Sequence, residues 1–201
     1  MTVVHWARHG ENVANVSRRF SYRVFDGDLT DRGIAQAGQL AGTLSASGHR
    51  YGLLVCSPLR RARQTAQIVS ARLRLPVRAE LEDLREVNVG DLDGRNDDTA
   101  WQTYDAILAG WRCGQLGQRF PGGESGHELA GRIGRALRTV AELAGDDDAV
   151  VVAHGASVRA AVPALTGLPD PGADLATGGM ARFVVTPGGG TANGITLAAW
   201  T

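Results

Sequence analysis

The run Ala149-Val150-Val151-Val152-Ala153 is apolar at every position, with three aspartates (146–148) before it and His154-Gly155 after it. A strand with one wet face would alternate. A short, fully apolar run bounded by turn signals reads as a central parallel strand buried on both faces. Such a strand needs neighbours on either side in the sheet and helices above and below it, which points to an α/β sandwich.

The rest of the chain supplies those parts in alternation. "TVVHWA" (2–7) and "YGLLVCS" (51–57) read as further buried strands, and "LPVRAE" (75–80) as an edge strand. The stretch 33–48 places Ile34, Ala37, Leu40, Ala41 and Leu44 on one helical face and closes at Gly48. Ser57-Pro58 reads as an N-cap and first-turn proline opening a helix through about Leu73. Trp101, Tyr104, Ile107, Leu108 and Trp111 recur at helical spacing within the less regular segment 88–126, which reads as a substrate-specificity insertion. Ser125-Gly126-His127-Glu128 fits a capping box for a helix burying Leu129, Ile133, Ala136, Leu137 and Val140. A helix with Pro163 near its end follows the apolar strand. "ARFVVT" and "GITLAAW" around "PGGGTANG" then read as a closing hairpin. No repeat or linker interrupts this order, so residues 1–201 are expected to form a single domain, a three-layer α/β/α sandwich with a mostly parallel central sheet.

Composition excludes several function classes. Basic and acidic residues number 21 each, which argues against a nucleic-acid partner or a polybasic membrane binder. Lysine is absent, so any cationic contact to a ligand must come from Arg or His. Cys56 and Cys113 match neither a zinc site nor a redox pair. With no export signal or membrane-length apolar run, a reducing cytoplasmic compartment is expected. Oligomeric state is open, a homodimer being one option.

In open α/β sheets ligands sit at the carboxyl ends of the strands. Here three such ends carry Arg8-His9-Gly10, Ser57 with the Arg-rich stretch behind it, and His154-Gly155. Each has an ordinary explanation alone. A histidine after a strand is commonly a capped or exposed residue, and "RARQTAQIVSARLR" could be one solvated helix face. His5 and His9, four apart on a strand, do not stack as zinc ligands would on a helix. His49 and His127 sit in turn-like contexts that face solvent. Together, two histidines and an arginine converging on one sheet edge are harder to explain as scattered surface polarity.

The motifs in order, "RHGE" at 8–11 with Asn15, "DGDLTDRG" at 26–33, "SPLRRARQTA" at 57–66, "LREVNVGDLDG" at 84–94, "PGGES" at 121–125 and "VVVAHGASVRA" at 150–160, resemble the histidine phosphatase (phosphoglycerate mutase-like) superfamily. The resemblance spans nearly the whole chain and implies the same sandwich fold. It implies a covalent phosphohistidine on His9, a phosphoryl group held by Arg8, Arg61 and His154 with Asn15 and Gly10 assisting, and Glu86 as general acid and base. It implies neither metal nor organic cofactor. Arginine suits this work because its planar fork binds two oxygens at once, and a nucleophilic imidazole must be neutral at the attacking nitrogen. The acid requires a carboxyl pKa raised towards neutrality. Glu11 and Glu124 are acidic alternatives to Glu86, while Arg60 and Arg63 flank Arg61 and point elsewhere on a helix.

The family includes mutases and hydrolases. Between Gly94 and Pro121 the only cations are Arg95, Arg112 and Arg119, and the stretch is aromatic rather than basic. That favours hydrolysis of a small phosphomonoester over a cofactor-dependent phosphoglycerate mutase reaction. A non-catalytic phospho-ligand module should lack a core residue, and none is missing here, although Ala156 stands where several members carry a polar residue. Loop position makes Arg18, Arg19, Arg23, Trp101, Tyr104, Arg112 and His127 candidate pocket walls.

Overall fold

The computed structural model describes residues 1–186 and 194–201. Its strands are β1 (Thr2–Arg8), β2 (Tyr51–Cys56), β3 (Val77–Glu80), β4 (Asp148–Ala153), β5 (Met180–Val185) and β6 (Ile195–Trp200). The helices are α1 (Val13–Val16), α2 (Asp31–Ala46), α3 (Arg60–Leu73), α4 (Asp98–Arg112), α5 (Gly126–Ala144) and α6 (Gly155–Thr166). The sheet runs β3-β2-β4-β1-β5-β6. β3, β2, β4 and β1 pair in parallel, while β5 pairs antiparallel with β1 and β6.

β4 lies between β2 and β1, which is why it is apolar throughout. Its side chains alternate between two cores. Val150 and Val152 pack with Leu40, Ala41, Leu44, Ala62, Ala66 and Val69 of α2 and α3. Ala149, Val151 and Ala153 pack with Leu129, Ile133, Leu137 and Val140 of α5 and Val158, Ala161 and Val162 of α6. The sheet therefore forms the middle of three layers, and each fully buried valine is worth roughly 1.5–3 kcal/mol in transfer alone. β3 is an edge strand, and Ser125 and Glu128 complete the capping box of α5. The turn read at the hairpin lies partly in residues 187–193, outside the described residues, although Thr186 N donates to Gly194 O at 2.8 Å.

Three expectations are corrected. Ile34 is 51% exposed. The buried stripe of α2 starts instead at Gly33 and continues through Ala37, Leu40, Ala41 and Leu44, which turns Ile34 outward. Ser57 does not cap α3. The helix starts at Arg60 after Leu59, with no side-chain cap, and the Ser57 hydroxyl is used elsewhere. His49 is not solvent-facing, since Nδ1 meets Asp148 Oδ2 at 2.7 Å and its ring lies 4.5 Å from that of His5.

Gly33 explains much of the "DGDLTDRG" element. A Cβ at Gly33 would sit 1.9 Å from Glu11 O, and one at Gly10 would sit 2.2 Å from Gly33 O. The start of α2 is thus pressed against the backbone after β1, and neither backbone can yield as a flexible side chain would. Gly33→Ala is expected to destabilise the fold by about 3 kcal/mol, seen as a fall in Tm of roughly 6–12 °C. A Tm within the error of wild type would mean that the two segments separate without cost.

Candidate active site

The ends of β1, β2 and β4 are tied by the ladder as it runs out. His9 N donates to Ala153 O at 3.0 Å, and Ser57 N donates to Val152 O at 2.9 Å. These bonds carry His9, Ser57 and His154 to one edge of the sheet, all buried. The rings of His9 and His154 lie 5.2 Å apart at 64°.

His9 Nδ1 lies 2.7 Å from Gly10 O. A carbonyl only accepts, so Nδ1 carries the hydrogen and Nε2 keeps its lone pair. Arg61 Nε donates to that Nε2 at 3.0 Å. Burial, then the charges of Arg61 and Arg8, hold the His9 pKa well below 6.5. The imidazole is therefore neutral at physiological pH. His154 is likewise held well below 6.5, by burial first and then by Arg61, His9, Arg132 and Arg8. Arg61 is pushed down to about 10 by burial and remains a cation near neutrality. Its Nη1 and Nη2 donate to Ser21 Oγ and Ser21 O at 2.9 and 3.1 Å. Arg8 donates through Nη1 to Leu175 O. A Cβ on Gly155 would come within 2.9 Å of Arg8 Cδ, so glycine there makes room for the guanidinium.

Among the described residues, the buried side-chain polar atoms without a hydrogen-bond partner are Arg8 Nε, His154 Nδ1 and Ser157 Oγ. Orphaned buried polar atoms are rare in native folds and mark places where a ligand or water completes the bonding. All three belong to the ends of β1 and β4 or to the first turn of α6. An oxyanion at this point would meet two arginines, one polar imidazole atom and the amino end of a helix.

An open cleft of about 730 Å³, counted out into open solvent, lies over this cluster, lined by Arg8, His9, Arg61, Asn15, Glu86 and others from the loops. Asn15 Oδ1 accepts from Asn12 N at 3.1 Å in a small capping box, leaving its amide nitrogen for a ligand. Glu86 Oε1 accepts from Val87 N at 3.0 Å and from Ser157 N at 2.7 Å, and Oε2 has no partner among the described residues. His154 lies beneath the cavity, with Nε2 and Ser57 Oγ 2.8 Å apart. Gly10 does not line it and is corrected from ligand contact to backbone support. It accepts the His9 hydrogen, packs on Gly33, and donates from its own N–H to Thr65 Oγ1 at 3.1 Å.

Of the proposed walls, Arg19, Trp101 and Tyr104 line the cavity. Arg18, Arg23, Arg112 and His127 do not. Arg18 stacks over Trp101, Arg23 over Tyr22, Arg112 pairs with Asp170, and His127 is exposed at the start of α5. Glu11 is engaged by Thr30 and Arg32, and Glu124 by Arg132, so neither faces the cavity as Glu86 does. Arg60 and Arg63 pair with Asp28 and Glu80.

Sequence reasoning missed several residues. Arg132 donates from Nε and Nη2 to the two oxygens of Glu124, at 2.9 and 2.7 Å, and from Nη1 and Nη2 to the carbonyls of Asp83, Arg85 and Glu86. It fixes the turn that presents Glu86. Ser21, Ser57, Thr65, Ser157 and Asp174 also belong to the site or its support. Ser57, Thr65 and Ser157 lay inside quoted motifs, but none was assigned a role there. Among the described residues no cluster of His, Cys, Asp or Glu is arranged to hold a metal. Cys56, its thiol pushed up to about 12 mainly by burial, is an inert core residue. No helix among the described residues is long and apolar enough to cross a membrane.

Comparison with known proteins agrees with this geometry. The family model described as the histidine phosphatase superfamily (branch 1) matches residues 4–195. A protein of Escherichia coli O1:K1 named "Probable phosphoglycerate mutase GpmB" is 32% identical over 169 residues, covering 84% of this chain and 77% of its own. The mycobacterial glucosyl-3-phosphoglycerate phosphatase, solved with VO3, superposes with a TM-score of 0.80 at 26% identity, covering 100% of this chain and 99% of its own. The alpha-ribazole phosphatase of Shigella flexneri superposes at 0.74 with 25% identity, covering 99% and 96%.

Proposed function

Because the chain belongs to the histidine phosphatase superfamily, branch 1, we propose that it hydrolyses a small phosphomonoester through a phosphohistidine at His9, without a metal. The observation that carries this reading is the His9 tautomer: Nδ1 is committed to Gly10 O, and the Nε2 lone pair faces Arg61 beneath an arginine-lined cavity. When the phosphoryl group binds, the Arg61 N–H turns from His9 Nε2 to a phosphoryl oxygen; Nε2 then attacks phosphorus as the bond to the ester oxygen breaks, and that oxygen takes the proton of Glu86. Water then attacks the phosphohistidine, gives its proton to Glu86, and inorganic phosphate leaves. Arg8, Arg61 and His154 hold the equatorial oxygens throughout, so most of the catalysis is positioning and charge stabilisation.

Hydrolysis is favoured over isomerisation by the fate of three arginines. Arg95 pairs with Asp97, Arg112 with Asp170, and Arg119 with Glu128, and none lines the cavity. A bisphosphate would find little cationic charge above the phosphoryl site. Mutase chemistry remains the second reading because the curated relatives carry that name. A coupled isomerase assay with and without 2,3-bisphosphoglycerate separates the two, and clear bisphosphate-stimulated isomerisation would reverse the choice. The covalent step is tested by stopping turnover of a ³²P-labelled phosphomonoester in alkaline detergent. Protein-bound label that survives alkali and is lost in acid is expected of an N–P bond, whereas acid-stable label would assign an oxygen ester instead.

A further inference from the structure

The floor of the cavity is cationic, but its wall is not. Above the phosphoryl site the wall is aromatic, formed by Phe20, Trp101 and Tyr104, whose rings lie 4.4–5.5 Å from one another. Two charged side chains join it outside the catalytic set, Arg19 and Asp174. Arg19 is already engaged, donating to Gly94 O and lying over the Phe25 ring. Asp174 is held by one oxygen only. Arg159 Nη1 donates to its Oδ1 at 2.8 Å, while Arg159 Nε is tied to Asp170 at 2.9 Å. Oδ2 has no partner among the described residues, and 63% of the side chain is exposed. The Tyr104 phenol between these groups makes no hydrogen bond among the described residues. Its pKa is raised by burial first and then by the charges of Glu86 and Asp174.

We propose that this wall selects a phosphomonoester whose alcohol part is a neutral polyol of the sugar type, and that Asp174 is the specificity-determining residue. The inference rests on the phosphomonoesterase reading above. An ionised carboxylate only accepts hydrogen bonds, so Asp174 suits hydroxyl groups. Aromatic rings offer apolar area to the C–H face of a sugar while a phenol supplies a polar handle. A leaving group carrying a carboxylate would instead meet the like charge of Asp174, which Arg159 pairs through one oxygen and leaves open at the other. Discrimination here therefore comes from repulsion as much as attraction.

The test is kcat/KM for a hexose phosphate, 3-phosphoglycerate, phosphoethanolamine and p-nitrophenyl phosphate, on wild type and Asp174→Asn. Wild type is expected to prefer the hexose phosphate to 3-phosphoglycerate by ~10-fold or more, the scale of one hydrogen bond to a charged group. Asp174→Asn keeps the size and one acceptor but removes the charge, and should narrow that ratio ~10-fold, mainly by raising the rate on 3-phosphoglycerate. A ratio that does not move, a wild-type preference for 3-phosphoglycerate, or phosphoethanolamine as the best ester would each overturn the proposal. Hydrolysis of p-nitrophenyl phosphate that requires His9, with an unmoved ratio, removes this proposal and leaves the phosphomonoesterase reading standing. No His9-dependent hydrolysis of any ester removes both readings.

Discussion

Replacing His9 by alanine is expected to lower kcat/KM for every phosphomonoester on the order of 10⁴-fold or more, about 5.5 kcal/mol of barrier. The side chain supplies a buried neutral imidazole that lines the cavity, with its tautomer set by Gly10 and its lone pair facing Arg61. Binding should suffer much less, because Arg8, Arg61 and His154 remain, and calorimetry with inorganic phosphate would read that directly. A variant keeping a tenth of wild-type activity would place the nucleophile elsewhere. The same imidazole sets a pH expectation. Its folded pKa lies well below the unfolded 6.5, as does that of His154, and His5 is lowered to about 4 by burial first. Below pH 6.5 the unfolded chain therefore binds protons that the folded chain does not. Stability is complete above 6.5 and falls as pH drops, by up to ~1.4 kcal/mol per unit for each histidine. Tm measured at pH 7.5 and 5.5 should show that loss.

Glu86→Gln is expected to lower kcat by roughly 10²–10⁴-fold on alkyl phosphates, the range that a positioned general acid contributes. The substitution is nearly isosteric, and the amide oxygen can keep the N–H donors of Val87 and Ser157. What it loses is the proton at the second oxygen. The loss should shrink sharply on p-nitrophenyl phosphate, whose leaving oxygen is a weak base and hardly needs the acid. Equal losses on both esters would reduce Glu86 to a structural residue. Circular dichroism and an unchanged Tm would separate that outcome from misfolding, since the Arg132 clamp holds the turn through backbone carbonyls that the substitution leaves intact.

The sequence was most readable where one local pattern decides the outcome. A five-residue apolar run bounded by turn signals reads as a doubly covered strand, and the "RHG" at the end of β1 and the "HG" after β4 carry their residues to the sheet edge by strand position alone. Capping at Ser125 was legible because both partners lie within four residues. Long side chains whose targets lie far off in sequence were not legible. Arg132 finds Glu124 and three carbonyls, and Arg112 finds Asp170, through tertiary packing that no local spacing encodes. For the same reason only three of the seven proposed wall residues face the cavity. Serines misled most easily: Ser57 has the look of a cap, but its hydroxyl bonds His154 from 97 residues away.

That separation along the chain has a consequence for how the protein comes to life on the ribosome. Arg8 is made 167 residues before Leu175, yet its guanidinium is seated on the Leu175 carbonyl oxygen. His9 N needs Ala153 O, and β1 has no place in the sheet until β4 and β5 stand on either side. At about 5–20 residues per second, Arg8 and His9 wait roughly 8–33 s for these surroundings. During that interval the His9 imidazole is an ordinary solvated side chain, without the buried arginines that would make it a phosphoryl acceptor. A chain made only as far as β3 therefore lacks the proposed site, which is assembled in one step once β4, the first turn of α6 and the Leu175 carbonyl are present.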